Sequence, residues 1–221
     1  MRRWAGRLLA LVLFVIAGIL ALMLAYKFIE PPTTPTWLAR TLMREPVDQF
    51  WVPLEQISPR LIEAVITSED GRFCVHHGVD FAQLEKVFED SGAGFSRGAS
   101  TISMQLVKNL YLWPQRSYVR KALEIPLALA QDLIHTKRRI LELYLNIAEW
   151  GPGVYGAEAA ALYHFNKPAS DLTAAEAARL AVSLPNPTQR DAGDPEPRVM
   201  RLAAIIASRA KAGVNTSCLS R

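Results

Sequence analysis

Residues 8–26, "LLALVLFVIAGILALMLAY", carry no charge and a single glycine. A helix of that length rises about 28 Å, close to the roughly 30 Å hydrocarbon core of a bilayer. It is apolar all round, whereas a surface helix of a globular domain keeps a polar face. A cleaved signal peptide has an apolar region of about 7–15 residues that ends in small residues. Here the run is longer, and "ALMLAYKF" offers no small-x-small site. The segment reads as a retained membrane anchor. Arg2, Arg3 and Arg7 precede it and only Lys27 lies immediately beyond. The positive-inside rule then leaves residues 1–7 in the cytoplasm and everything after about residue 27 outside.

The rest of the chain is long enough for one ordinary domain. The net charge is +4, but without the three leading arginines 22 basic side chains face 21 acidic ones. That balance argues against a nucleic-acid partner, which needs a clustered positive surface. "EPPTTPTWLAR" is rich in prolines that fix φ and remove donors, so residues 27–44 read as an extended spacer. From 45 to 213 the apolar residues recur mostly at helical spacing, with little β signal, and a short tail, 214–221, follows. Ser58 and Pro59 suit the start of one helix, Ser100 is a candidate N-cap, Pro126 is a kink or break, and Gly213 ends the last helix. "SGAGFSRGAS" reads as a Gly/Ser-rich loop. The fold class is mainly α. Cys74 and Cys218 follow no metal-ligand spacing and read as two unpaired thiols, Cys74 packing as a small hydrophobe.

Chemistry enters at "ITSEDGRFCVHHG", residues 66–78, where Glu69, Asp70, Arg72, His76 and His77 interrupt an apolar stretch. Taken alone, this suits a solvated helix end. In "STISMQLVKN", Thr101, Gln105 and Lys108 share one helix face opposite Ile102, Leu106 and Leu110. Arg120 and Glu124 stand at i, i+4 with Lys121 alongside, a spacing that surface ion pairs also use. Glu142, among Ile140, Leu141, Leu143 and Leu145, reads as a structural carboxylate paired to a base. In "PVDQFWVPL" the aromatics read as ordinary core residues, with contact to a headgroup region as the alternative.

In order along the chain, these clusters fit four motifs: E-D-x-x-F-x-x-H-x-G, G-x-S-T-I-x-x-Q-x-x-K-N, R-K-x-x-E and K-x-x-I-x-E-x-Y-x-N. With them, roughly residues 45–190 resemble the peptidoglycan glycosyltransferase family, and within it the monofunctional members of Gram-negative bacteria. One departure is "YHFNK", residues 163–167, where the family commonly has a Tyr-Phe-Gly-Lys-like run.

The resemblance implies a single lysozyme-like helical glycosyltransferase domain behind one transmembrane helix. It implies an enzyme that polymerises lipid II into β-1,4 glycan with loss of polyprenyl diphosphate. The inner membrane is its implied location, with the catalytic domain periplasmic. Its partners would be lipid II, the lipid-linked nascent glycan and the membrane, with cell-wall synthesis or division proteins as candidates. The chain ends soon after "AVSLPNP", so no transpeptidase activity is expected. Residue by residue, Glu69 matches the base and Glu124 the second essential glutamate. Lys108, Arg120 and Lys121 match the cationic residues. Asp70, Phe73, His76, Thr101, Gln105 and Asn109 fall at substrate-binding positions, His76 being equally readable as a structural imidazole. Glu124 would orient Arg120 or Lys121, or share a divalent cation (Mg or Mn) at the diphosphate.

Overall fold

A computed structural model describes residues 2–91, 100–115 and 117–220, so most of the Gly/Ser-rich loop reading lies outside the described residues. The chain divides into two compact units, Met1–Pro32 and Thr33–Arg221.

The first unit is one helix, α1 (Arg2–Tyr26). Trp4–Tyr26 within it has a mean hydropathy of 3.1 and is long and apolar enough to cross a membrane. Leu8, Leu9, Leu11, Phe14 and Leu24 all expose more than half of their surface, an arrangement that suits lipid and not water.

The second unit is mainly helical: α2 (Pro35–Leu42), α3 (Pro59–Glu69), α4 (Phe81–Ser91), α5 (Ile102–Tyr111), α6 (Tyr118–Ile134), α7 (Lys137–Ile147), α8 (Ala157–Phe165), α9 (Ala174–Ser183) and α10 (Pro197–Lys211). Three short strands form one sheet in the order β1 (Asp48–Gln49), β3 (Val154–Tyr155), β2 (Glu149–Gly151), with β1–β3 parallel and β2–β3 antiparallel. At two or three residues each, these strands are too short to show an alternating pattern.

Two helix groups build the core. α3 packs on α9 and α10, while α5 packs on α6 and α7. α7 is the most enclosed, with Ile140, Leu141, Leu143, Tyr144, Leu145 and Ile147 all at most 1% exposed. Burying each such large side chain contributes about 1.5–3 kcal/mol. Side-chain caps start several helices: Thr101 accepts from Met104 N, Ser117 from Arg120 N and Thr136 from Arg139 N, and Thr173 forms a capping box with Glu176. The cap of α5 is thus Thr101, one residue beyond the expected Ser100. α6 runs through Pro126 as a single helix. Pro126 and Ala122, whose carbonyl loses its donor to the ring, both lie on the exposed side, where water can replace that bond.

The structure corrects two expectations. Residues 35–42 of the expected extended spacer are helical, because Thr34 caps α2 and Pro35 suits its first turn. Trp37 then packs edge-on against Tyr155, and Arg40 donates to Tyr155 Oη at 3.1 Å while pairing with Glu45 and Glu149. Second, Cys74 and Cys218 are joined in a disulfide with Cα atoms 5.4 Å apart. The 217–219 turn that carries Cys218 rests on α7, and Arg138 donates to Leu219 O. This packing brings together two thiols separated by 144 residues. The loop following α3 is thereby tied to the C-terminal tail. Closing so long a loop restricts the unfolded chain, an effect on the order of 4–5 kcal/mol in the chain-entropy model. The Cys74→Ser/Cys218→Ser protein should unfold at lower denaturant concentration, with a loss of about 2–5 kcal/mol. Equal midpoints for the variant and the oxidised parent would refute this.

Candidate active site

Glu69 is the last residue of α3, and its side chain is partly buried. Its Oε2 accepts from Gln105 Nε2 at 2.9 Å, and its Oε1 from the Ser68 hydroxyl at 3.2 Å. Gln105 Oε1 in turn accepts from Tyr144 Oη at 3.1 Å. A hydrogen-bond chain therefore runs from α3 through α5 to α7 and fixes the orientation of the carboxylate. Burial pushes the Glu69 carboxyl above its ordinary pKa; the bonds from Gln105 and Ser68 and the charges of Lys108 and Arg190 pull the other way. The Tyr144 phenol is held well above its usual value by burial and by Glu69 and Asp70.

Lys108, one turn along α5 from Gln105, belongs to a group of charges with the start of α6. Arg120 Nη1 lies 3.0 Å from Glu124 Oε1, and Lys121 Nζ lies 2.8 Å from Glu124 Oε2. Lys121 also donates to Ser100 Oγ at 2.6 Å. Burial holds the Lys108 ammonium below its ordinary pKa; Glu124 opposes this, Arg120 and Lys121 add to it, and Glu69 opposes it. Three cations thus gather about the buried Glu124 carboxylate, with Glu69 acting on Lys108 as well. Arg120 Nε is buried and finds no hydrogen-bond partner among the described residues.

Two clefts are lined by the partners of the Glu69–Gln105 bond, one by Glu69 and the other by Gln105. One, of about 240 Å³, is lined by Glu69, Asp70, Arg72, Gln83, Ser100 and Thr101 among others. The second, of about 180 Å³, is lined by Gln105, Lys108, Asn109, Tyr144, Glu149 and Pro185 among others.

The remaining site positions mostly hold the scaffold. Asp70 Oδ1 pairs with His76 Nε2 at 2.8 Å, and its Oδ2 accepts from Ile102 N at 2.9 Å, so one carboxylate ties the loop after α3 to the first turn of α5. Thr101 donates to Gly78 O at 2.6 Å besides capping α5. Gly78 has φ +77°, and a Cβ there would stand 2.3 Å from Ala128 O, so only glycine lets the loop lie against α6. Phe73 is fully buried beneath the Lys137 ammonium, 4.7 Å from its ring centre. It packs in the core and presents no surface to a ligand. His76 is buried and bonded to Asp70 through Nε2, while its Nδ1 finds no hydrogen-bond partner among the described residues.

α7 serves the same end. Glu142 pairs with Arg139 and accepts from Leu54 N, as a structural carboxylate would. Asn146 exchanges hydrogen bonds with both N and O of Val52 at 2.9 Å. Trp51 lies under the Arg139 guanidinium, while Phe50 is half exposed. In the "YHFNK" departure, Asn166 takes the left-handed conformation (φ +54°, ψ +41°) that ends α8. Asparagine tolerates this conformation, so the turn is made without a glycine. Lys167 there pairs with Glu176, which these contacts and the bonds from Thr173 hold down at about 2 despite an opposing desolvation.

Sequence reasoning did not single out Ser68, Tyr144 or Arg190. Tyr144 was legible only as a motif letter, and Arg190 lies in a loop without periodicity.

Comparison with known proteins is consistent with this arrangement. The transglycosylase family model matches residues 36–211. The chain is 51% identical over 203 residues, 91% of it and 89% of the relative, to the biosynthetic peptidoglycan transglycosylase of Agrobacterium fabrum. It is 48% identical over 223 residues, covering 98% of itself and 99% of the relative, to that of Brucella suis biovar 1. With that of Rhizobium meliloti it shares 48% over 226 residues. The protein is thus an enzyme of the glycosyltransferase class, carrying an apolar helix of membrane-spanning length. It belongs to the transglycosylase family.

The raised Glu69 pKa has a consequence for stability. The folded state holds this proton more tightly than the unfolded chain, so Glu69 destabilises the fold once pH rises above its folded pKa, and this penalty is absent below its unfolded value near 4.5. Glu69→Gln should therefore raise the melting temperature at pH 7, with the gain fading as pH falls toward 4. A melting curve unchanged at pH 7 would count against the burial argument.

Proposed function

We propose that this enzyme polymerises lipid II into β-1,4 peptidoglycan strands, with Glu69 as general base. The observation that carries the reading is the pairing of Glu69, held by Gln105, with the Lys108–Arg120–Lys121 group, reached along the same helix α5. A sugar hydroxyl is a poor nucleophile at neutral pH and needs a positioned carboxylate to take its proton. The acceptor 4-oxygen attacks C1 of the growing chain, its proton passes to Glu69, and the bond from C1 to the diphosphate oxygen breaks. Attack opposite the leaving group inverts the α-linked donor to a β product. The diphosphate gathers charge as it leaves, and fixed cations stabilise that charge more than they stabilise the ground state. Arg120, with a buried guanidinium N–H lacking a partner, suits a phosphate oxygen. The relatives' names, biosynthetic peptidoglycan transglycosylase, support the substrate class.

Glu124 is the orienting partner of the cations. Each of its oxygens already meets one of them, Arg120 on Oε1 and Lys121 on Oε2. Two cations already offset this lone carboxylate, and among the described residues no group of three or more His, Cys, Asp or Glu side chains could hold a metal ion, so no step is routed through one.

The arginines at the start of α1, Arg2, Arg3 and Arg7, support an N-terminus in the cytoplasm with the body on the outer side of the membrane. The disulfide supports the same orientation, since such bonds persist in oxidising compartments. An anchor there confines the enzyme to the surface where a lipid-linked substrate lies.

Incubation of the full-length protein with labelled lipid II should yield long polymer. Glu69→Gln should lower this by about 10²–10⁴-fold while the protein stays folded. Trimming of preformed glycan without synthesis, or an unimpaired Glu69→Gln variant, would overturn the reading. Lys108→Ala and Arg120→Ala should each reduce kcat on the order of a hundredfold, with a smaller change in KM. A change confined to KM would show that these cations bind the ground state only.

A further inference from the structure

The segment "SLPNPTQR" that closes α9 leaves helix carbonyls without their regular donors. Residue 185 is proline, so Ala181 O has no i+4 N–H to accept from. Asn186 N, the i+4 donor for Val182 O, bonds Ser183 O instead at 2.9 Å. Both freed carbonyls are taken by side chains. Ala181 O receives the Ser68 hydroxyl at 3.5 Å, and Val182 O receives Arg190 Nη1 at 2.7 Å. Ser68 shares that same hydroxyl with Glu69 Oε1. The C-terminal ends of α3 and α9 therefore converge on Glu69, and each brings the negative pole of a helix. A carboxylate is poorly placed there unless a cation offsets the two poles.

We infer that Arg190 is a positioning residue for the base: its guanidinium caps α9 and supplies the positive charge that lets Glu69 stand ionised between two helix C-termini. The inference rests on the reading of Glu69 as base and goes beyond it. The groups facing Glu69 support this assignment. Lys108 from α5 and Arg190 from the loop after α9 both favour the charged carboxylate. Tyr144 from α7 is a neutral phenol, and Asp70, next in the chain, has its own charge engaged by His76 and Ile102 N. Lys108 is shared with the Glu124 group, whereas the Arg190 guanidinium donates to Val182 O at the helix end it caps.

The test is the pH profile of kcat/KM for lipid II polymerisation by the full-length enzyme, which reports the free enzyme's base. Arg190 favours the ionised form, so its removal makes the base protonate more readily and the acid limb moves to higher pH. Arg190→Gln should shift that limb up by about one unit, a loss of about tenfold on the acid side that disappears above it. Arg190→Lys, which keeps the charge, should leave the limb close to its parent position. Arg190 lies outside the helices and is partly exposed, so the variants should fold; Arg190→Met gives a second charge-removing change, and melting temperature checks both. A loss of equal size at every pH, a change only in KM, or an unmoved limb would overturn the inference. Glu69→Gln separates the two failures. If it stays active, the base reading falls; if it is inactive while the Arg190→Gln limb is unmoved, the role of Arg190 alone falls.

Discussion

The geometry of the site depends on the hydrogen bond from Gln105 to Glu69. It joins the end of α3 to the face of α5, and that face carries Lys108 a turn further on. One helix thus carries both the partner of Glu69 and Lys108, while Arg120 and Lys121 come from α6 packed beside it. The bond is held from behind by Tyr144 on α7, the most deeply buried helix, so the position of the Glu69 carboxyl is tied to the core itself.

Around that bond, residues of chemical character act as scaffold. Asp70, His76, Thr101 and Gly78 bind the loop after α3 to the starts of α5 and the side of α6. Asn146 and Glu142 hold the 51–54 segment from α7. Each motif therefore mixes a few groups that can meet a substrate with several that hold them there. A polar residue in such a motif is not by itself evidence of substrate contact. Glu69, Gln105, Lys108 and Asn109 line the clefts with their side chains partly open. Phe73 and His76 do not.

The electrostatics work in two directions. Burial and helix C-termini make Glu69 hold its proton, while nearby cations release it. The same burial weakens the hold of Lys108 on its own proton. A buried carboxyl and a cluster of buried cations are both costly to the fold. The disulfide, the helix caps and the packed core of α7 offset that cost at a distance from the clefts.

Much of this was legible in the sequence because it is written in short-range patterns. The apolar run of α1 needs no partner to be read, since its length and lack of charge suffice. Motif spacing placed Glu69, Lys108, Arg120 and Glu124 in one enzyme family, and helical periodicity placed Gln105 and Lys108 on one face. Other features arise between segments far apart in the chain. The disulfide joins residues with no local signature, and α2, capped locally by Thr34, is docked by Tyr155 and Glu149 from more than a hundred residues away. Phe73 and His76 turned inward with their loop, which no local pattern showed. Local spacing determined which groups the chain possesses and which helices carry them. Tertiary packing alone decided which of those groups face the clefts, because burial and pairing depend on neighbours that lie beyond the reach of local spacing, as Gln105 and Tyr144 do at 36 and 39 residues from their partners.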